Sequence, residues 1–266
     1  MVDTSKAKRR VRIGSSRRKI KVTKPVKTYV KKQINRSIEG REVLNVSYGS
    51  SGASYVNKDY PGIPGGFSDV MQLIPRIGQG EARDQRTGAK LKMTGFNCSF
   101  FAHIPAALAG NSANAGVTCR LLVLSPKQVG DFAQFNSNWA LGQQFNTRYL
   151  KNGANEAGYA GDLWSLRWPV NTELFTKHYD KMFTLNRGLR VGASTAGTNV
   201  PEVVFNHKFR IKCKNKMLLY PDTTDTTCSN WAPFAILMYC PNDSSISTTS
   251  PGPIKGNMFT RITFKP

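Results

Sequence analysis

From residue 41 onward the apolar positions recur with a period of two, beginning with Leu44, Val46 and Tyr48 alternating with Val43, Asn45 and Ser47. Further runs of strand character cover residues 70–77, 89–104, 117–124, 181–191, 203–217, 234–240 and 258–264, about eight strands in all. In the second run Leu91 and Met93 alternate with Lys90, Lys92 and Thr94, yet beyond Gly95 the apolar residues are Phe96, Cys98, Phe100, Ala102 and Ile104. A period of two permits that change of parity only through an extra residue. Gly95 therefore marks a β-bulge or strand break, or the tight turn between two strands. The run from Phe234 to Cys240 has no polar alternation, which predicts cover on both faces, by the opposite sheet and by a neighbouring subunit or a long loop. Long Asn/Ser/Thr/Gly-rich connections occupy residues 49–66, 107–115, 134–161, 222–230 and 241–256, and only 138–150 hints at a helix, through Leu141, Phe145 and Tyr149. Eight strands without intervening helices predict an all-β fold, a single eight-stranded antiparallel jelly roll over residues 41–266.

The first forty residues read differently. Residues 1–24 have scarcely any large apolar side chains, so nothing there offsets the entropy of ordering, and a disordered arm is expected. From Pro25, Val26, Val30, Ile34 and Ile38 recur every four residues with Tyr29 alongside, while Lys27, Lys31, Lys32 and Arg36 take other faces. Pro25 and Gly40 bracket a short basic amphipathic helix at about 26–39, or an extended segment that orders on assembly.

Charge changes the picture more than composition does. The chain has 38 Lys+Arg against 16 Asp+Glu, a net of +22. Residues 1–40 hold 14 Lys+Arg and 2 acidic residues, so more than half of the excess sits in under a sixth of the chain. A basic tail on a folded body implies a polyanionic partner, nucleic acid, bound by counterion release with little sequence preference. The arm's candidates are Lys6, Lys8, Arg9, Arg10, Arg12, Arg17, Arg18, Lys19, Lys21 and Lys24; Lys8, Arg9, Arg10, Arg17, Arg18 and Lys19 also read as nuclear-import clusters. Residues alone leave RNA and DNA open.

A second basic feature is written into the 203–217 run. Lys208, Arg210, Lys212, Lys214 and Lys216 share one parity, and Phe205, His207, Phe209, Ile211 and Cys213 share the other. Alternate side chains on a strand lie about 6.6 Å apart, comparable to phosphates on an extended strand. The stripe is either a nucleic-acid surface or a solvated lysine ladder guarding a sheet edge. The apolar parity makes His207 a core histidine.

Catalytic chemistry finds no foothold. His103, His178 and His207 stand in unrelated contexts without a companion nucleophile or base. The five cysteines, Cys98, Cys119, Cys213, Cys228 and Cys240, lack metal-ligand spacing and read as reduced, mostly buried thiols. No phosphate-loop motif is present, so no catalytic residues, metal or cofactor are expected. No apolar run reaches the ~20 residues of a membrane span, and the N-terminal segment has no stretch resembling a secretory signal. Trp139, Trp164, Trp168 and Trp231 can stack bases, but core or subunit interface is the commoner place for tryptophan.

The arm, the run Leu73-Ile74-Pro75-Arg76-Ile77-Gly78-Gln79-Gly80, and Arg83-Asp84-Gln85-Arg86-Thr87-Gly88-Ala89-Lys90-Leu91 resemble capsid proteins of circular, replication-initiator-encoding single-stranded DNA viruses. So do Tyr179-Asp180-Lys181-Met182-Phe183-Thr184-Leu185, Lys208-Phe209-Arg210-Ile211-Lys212, and Lys216-Met217-Leu218-Leu219-Tyr220, followed by residues 235–239 and 261–265. The resemblance covers most of the chain in order. The arm, with 8 Lys and 6 Arg, lacks the nearly pure arginine run of circoviruses. What the resemblance implies is a viral jelly roll, a homo-oligomeric icosahedral shell of sixty copies, packaged circular single-stranded DNA, a place in the virion and, during assembly, in the host nucleus. Host import receptors and a cell-surface receptor would be its other partners. The alternative class is a non-viral basic nucleic-acid-binding protein of ribosomal or chromatin type.

Overall fold

The computed structural model describes residues 23–37, 40–45, 58–61, 63, 70–104, 107–108, 116–140, 145–186, 199–200, 203–213, 215–241 and 251–265. The arm residues Lys6 to Lys21, and Lys214, lie outside them. The chain divides into two compact units, Met1–Glu39 and Gly40–Pro266.

In the first unit α1 runs Lys24–Ser37. Pro25 sits in its first turn, where a missing N–H costs no helical hydrogen bond, and the Lys27 amide bonds back to the Thr23 carbonyl. Val26, Tyr29 and Val30 are exposed.

The second unit is all-β, built from antiparallel sheets arranged as a sandwich. Its strands are β1 (Arg41–Asn45), β2 (Lys58–Pro61), β3 (Met71–Gln72), β4 (Lys90–Ile104), β5 (Ala107–Leu108), β6 (Val117–Pro126), β7 (Leu150–Asn152), β8 (Asn155–Ala157), β9 (Phe175–Leu185), β10 (Asn199–Val200), β11 (Val203–Arg210), β12 (Met217–Leu219), β13 (Phe234–Pro241) and β14 (Pro251–Lys265). Two short helices, α2 (Phe132–Ala140) and α3 (Leu163–Leu166), lie between β6 and β9. One large sheet runs β1-β14-β4-β11, with β12 on β4 and β2 on β14; the other runs β3-β13-β6-β9.

Two apolar clusters make this a three-layer body. The first fills the space between the sheets: Phe96, Phe100, Ile262 and Phe264 from the first sheet meet Cys119, Leu121, Leu237 and Tyr239 from the second. On the far side of the second sheet, Phe234, Ile236 and Met238 meet Phe135 and Trp139 of α2 with Phe145, Tyr149 and Phe175. Phe135 stacks on Phe234 at 4.3 Å between ring centroids. Strand β13 is thus covered on both faces, as its unbroken apolar run requires, and the outer cover comes from a long connection of the same chain. Between edge strands β9 and β11 the rim is closed by stacked rings, Phe183 on Phe205 at 3.8 Å and Tyr179 on Phe209 at 4.0 Å.

The parity change at Gly95 is a bulge. Thr263 faces Gly95 and Phe264 faces Met93, leaving Thr94 as the extra residue in one continuous strand. A Cβ on Gly95 would stand 2.5 Å from the Thr263 hydroxyl, so the bulge also brings the strands too close for a side chain there.

Several expectations are corrected. In β1 it is Val43 that is buried, while Leu44 is 63% exposed. The 70–77 run is a strand only at Met71–Gln72, although Leu73, Ile74 and Ile77 are buried in irregular chain. The strand expected at 181–191 begins at Phe175. The helix hinted at over 138–150 lies instead at Phe132–Ala140, and Leu150 opens the β7–β8 hairpin. The 203–217 strand stops at Arg210 and resumes as β12, with Asn215 between them in the left-handed region at φ 57°.

Candidate nucleic-acid interface

The second sheet has α2 and its neighbours on its outer face. The outer face of the first sheet has no such cover among the described residues, and its sequence makes that face cationic. In β14 the even positions Met258, Thr260, Ile262 and Phe264 are buried, so Lys255, Phe259, Arg261 and Lys265 point outward. In β4 the outward set is Lys90 and Lys92 before the bulge and Asn97, Ser99 and Phe101 after it; in β11 it is Val204, Asn206, Lys208 and Arg210.

Register places these side chains together. Leu44 pairs with Arg261, Arg261 with Asn97, and Asn97 with Arg210; the adjacent row runs Phe259, Ser99, Lys208. These residues line a groove of about 680 Å³. Phe259 is 43% exposed at its centre. A phenyl face flanked by ammonium and guanidinium groups can stack a base while the cations meet the flanking phosphates. Glu42 tempers one of the cations: Arg261 donates to its carboxylate through Nε at 3.0 Å and Nη2 at 2.5 Å. Those bonds hold the Glu42 carboxyl below its ordinary value.

The expected five-residue stripe is therefore split. Lys208 and Arg210 are exposed on this face. Lys212 and Lys216 line a different cavity, beside His178 and Trp231. Lys24 is exposed at the start of α1. The sequence reading missed Arg261, Lys255, Lys265, Lys90 and Lys92 as members of the same face, although the alternation Lys255, Asn257, Phe259, Arg261, Thr263, Lys265 was there to be read.

His207 is corrected from core to half-buried: it sits on the rim between Phe205 and Phe209, hydrogen-bonded to the Tyr179 hydroxyl. Phe209, expected to be buried, is half-buried with it. His103 is buried in β4. Trp139 and Trp231 are core residues, Trp168 is half-buried, and Trp164 is 79% exposed on α3. None of the five cysteines is in a disulfide; Cys98, Cys119, Cys213 and Cys228 are buried and Cys240 is half-buried. Burial pushes the Cys98 thiol up to about 12. Among the described residues no three His, Cys, Asp or Glu side chains converge as metal ligands, and no helix is long and apolar enough to cross a membrane.

No protein-family model matches the chain, and no curated protein matches it.

Proposed function

We propose that this chain is the coat protein of a small virus of the circular, replication-initiator-encoding single-stranded DNA class. In this reading a jelly roll self-assembles into a shell of sixty copies, and the arm and the cationic sheet face hold the packaged DNA. The observation that carries the packaging reading is a sheet face, without cover among the described residues, that gathers Lys90, Lys92, Lys208, Arg210, Lys255, Arg261 and Lys265, with Glu42 bonded to Arg261. Like charges at that density repel one another unless a polyanion joins them.

The jelly-roll reading is supported by strand pairing. Counting β1, β3, β4, β6, β9, β11, β13 and β14 as first to eighth, the antiparallel pairs are first with eighth, second with seventh, third with sixth and fourth with fifth. That is one long hairpin wrapped so that successive pairs fall alternately in the two sheets, the arrangement of two Greek keys. The arm is assigned to nucleic acid and nuclear import on its charge alone.

Negative-stain microscopy of the purified chain tests the proposal. Uniform closed particles with a nucleic-acid absorbance ratio are expected. Monodisperse monomers that bind nucleic acid would overturn the shell and favour the ribosomal or chromatin-type alternative.

A further inference from the structure

The second cavity, about 490 Å³, lies where the chain leaves β6, enters β9 and turns from residue 212 to 216. Among the described residues its lining contains Lys127, Lys212 and Lys216 and no carboxylate. None of these lysines takes part in the ion pairs among the described residues. Lys127 Nζ donates to the Thr172 carbonyl at 2.6 Å, and Lys216 Nζ stands 5.2 Å from the centre of the Trp231 ring. Hydroxyls of Ser125 and Thr176 complete the polar wall.

Two features of the backbone build this space. Tyr179 pairs with Val123 and Lys177 with Leu124, so His178 is the extra residue of a β-bulge, a device that re-aims a side chain. Its Nε2 meets the Ser125 hydroxyl at 2.8 Å, and its ring is edge-on to Trp231. Opposite, Gly130 lets two backbones touch: a Cβ there would lie 2.5 Å from the Ser229 carbonyl. The imidazole is held down to about 4 by burial and then by Lys216, so at neutral pH it adds no charge and offers a neutral polar edge.

We propose that this pocket is a phosphate-binding site sized for a single nucleotide. Three lysines outside the ion pairs of the described residues, gathered in one concave space, suit an anion, and point charges on flexible stems are how lysine holds phosphate. The volume falls in the range of roughly 300–1,000 Å³ over which small ligands are enclosed. Lys216 covers the Trp231 face, so recognition is through the phosphate and hydroxyls rather than by base stacking. The site lies apart from the sheet-face groove and goes beyond the packaging reading without resting on it.

Equilibrium dialysis of the full chain against radiolabelled deoxyadenosine monophosphate tests it, in sodium chloride concentrated enough to suppress binding by the arm. Saturable binding of one nucleotide per chain is expected, competed by inorganic phosphate. The pair Lys212→Gln and Lys216→Gln should weaken it at least tenfold, and the Arg pair at the same positions should restore it. Lys181→Gln, on the exposed face of β9 and outside the pocket lining, should leave it unchanged. Absence of saturable binding, survival of full binding in the Lys212/Lys216 Gln pair, or equal loss in Lys181→Gln would each overturn the site. Saturable inorganic phosphate without nucleotide binding would overturn the nucleotide assignment and leave free phosphate as the ligand. None of these results bears on whether particles form.

Discussion

Two buried cations and one half-buried imidazole set the residue-scale energetics. Arg86 is fully buried, with its guanidinium 4.4 Å above the centre of the Tyr220 ring. It donates to the carbonyls of Gly88, Asp222, Thr223 and Asp225 at 2.7–3.1 Å. It therefore ties the 222–225 turn to the segment before β4. Arg86→Met keeps the volume but strands those acceptors; a loss of about 3 kcal/mol or more is expected in urea unfolding of the body. Arg120 does similar work on the other sheet, gripping Asp180 through two bonds of 2.8 Å and the carbonyls of Leu166 and Trp168. Burial raises the Asp180 carboxyl, but the bonds and charge of Arg120, with Lys177, outweigh it and hold the group below its ordinary value. Its stabilisation is present above the unfolded carboxylate pKa and disappears as pH falls through the lower folded value. His178 acts in a higher window. Its folded value is about 4 against an ordinary 6.5, so the unfolded chain takes up the proton first as pH falls. Stability should decline by up to about 3 kcal/mol between pH 6.5 and 4, and His178→Gln should flatten that part of the profile.

At the scale of elements, the bulge in β4 organises its surroundings. Strands β11 and β12 both pair with β4, on either side of the bulge, and residues 211–213 and 215–216 leave the ladder between them. The parity change at Gly95 was legible because an apolar register is either kept or broken. Its effect on the next strand was not, because alternation in 203–217 persists through residues that leave the ladder. Gly95→Ala should cost about 1–3 kcal/mol by forcing the Thr263 hydroxyl aside, and Thr263→Ala should recover most of it in a double-mutant cycle. The misplaced helix has a similar cause. Leu141, Phe145 and Tyr149 mimic helical spacing, whereas the real helix is announced by Asp131, whose Oδ1 caps the Ala133 amide at 2.9 Å. Phe135 and Trp139 then face the sheet. Trp139→Ala should cost about 3–5 kcal/mol, seen as a lowered thermal midpoint, because it opens a cavity beside Phe234 and Tyr149. The early start of β9 was hidden by the His178 bulge, which interrupts the period of two just where the strand begins.

For the whole molecule the decisive quantity is charge against packaged length. If each cation meets one phosphate, sixty arms at a net +12 neutralise on the order of 700 nucleotides. Encoding this chain of 266 residues alone takes about 800 nucleotides. The arms are therefore insufficient in the proposed particle, and the body must supply the difference. The uncovered sheet face is the surface with the charge to do so. Lys90, Lys92, Lys208 and Arg210 are the members to remove, because Arg261 is engaged by Glu42 and its loss would leave that carboxylate unpaired. Replacing the four by Gln touches no buried residue, so particles should still form. Nucleic-acid content per particle should fall, and the logarithmic salt dependence of binding by the dissociated chain should flatten by about 3, at roughly 0.7 per lost single-strand contact. Removing residues 1–24 should flatten it further while leaving the body folded, since that segment has scarcely any large apolar side chains. If the four-site variant packages a full complement with an unchanged salt slope, the first sheet does not face the packaged strand, and its lysines serve as a solvated guard on an outer surface.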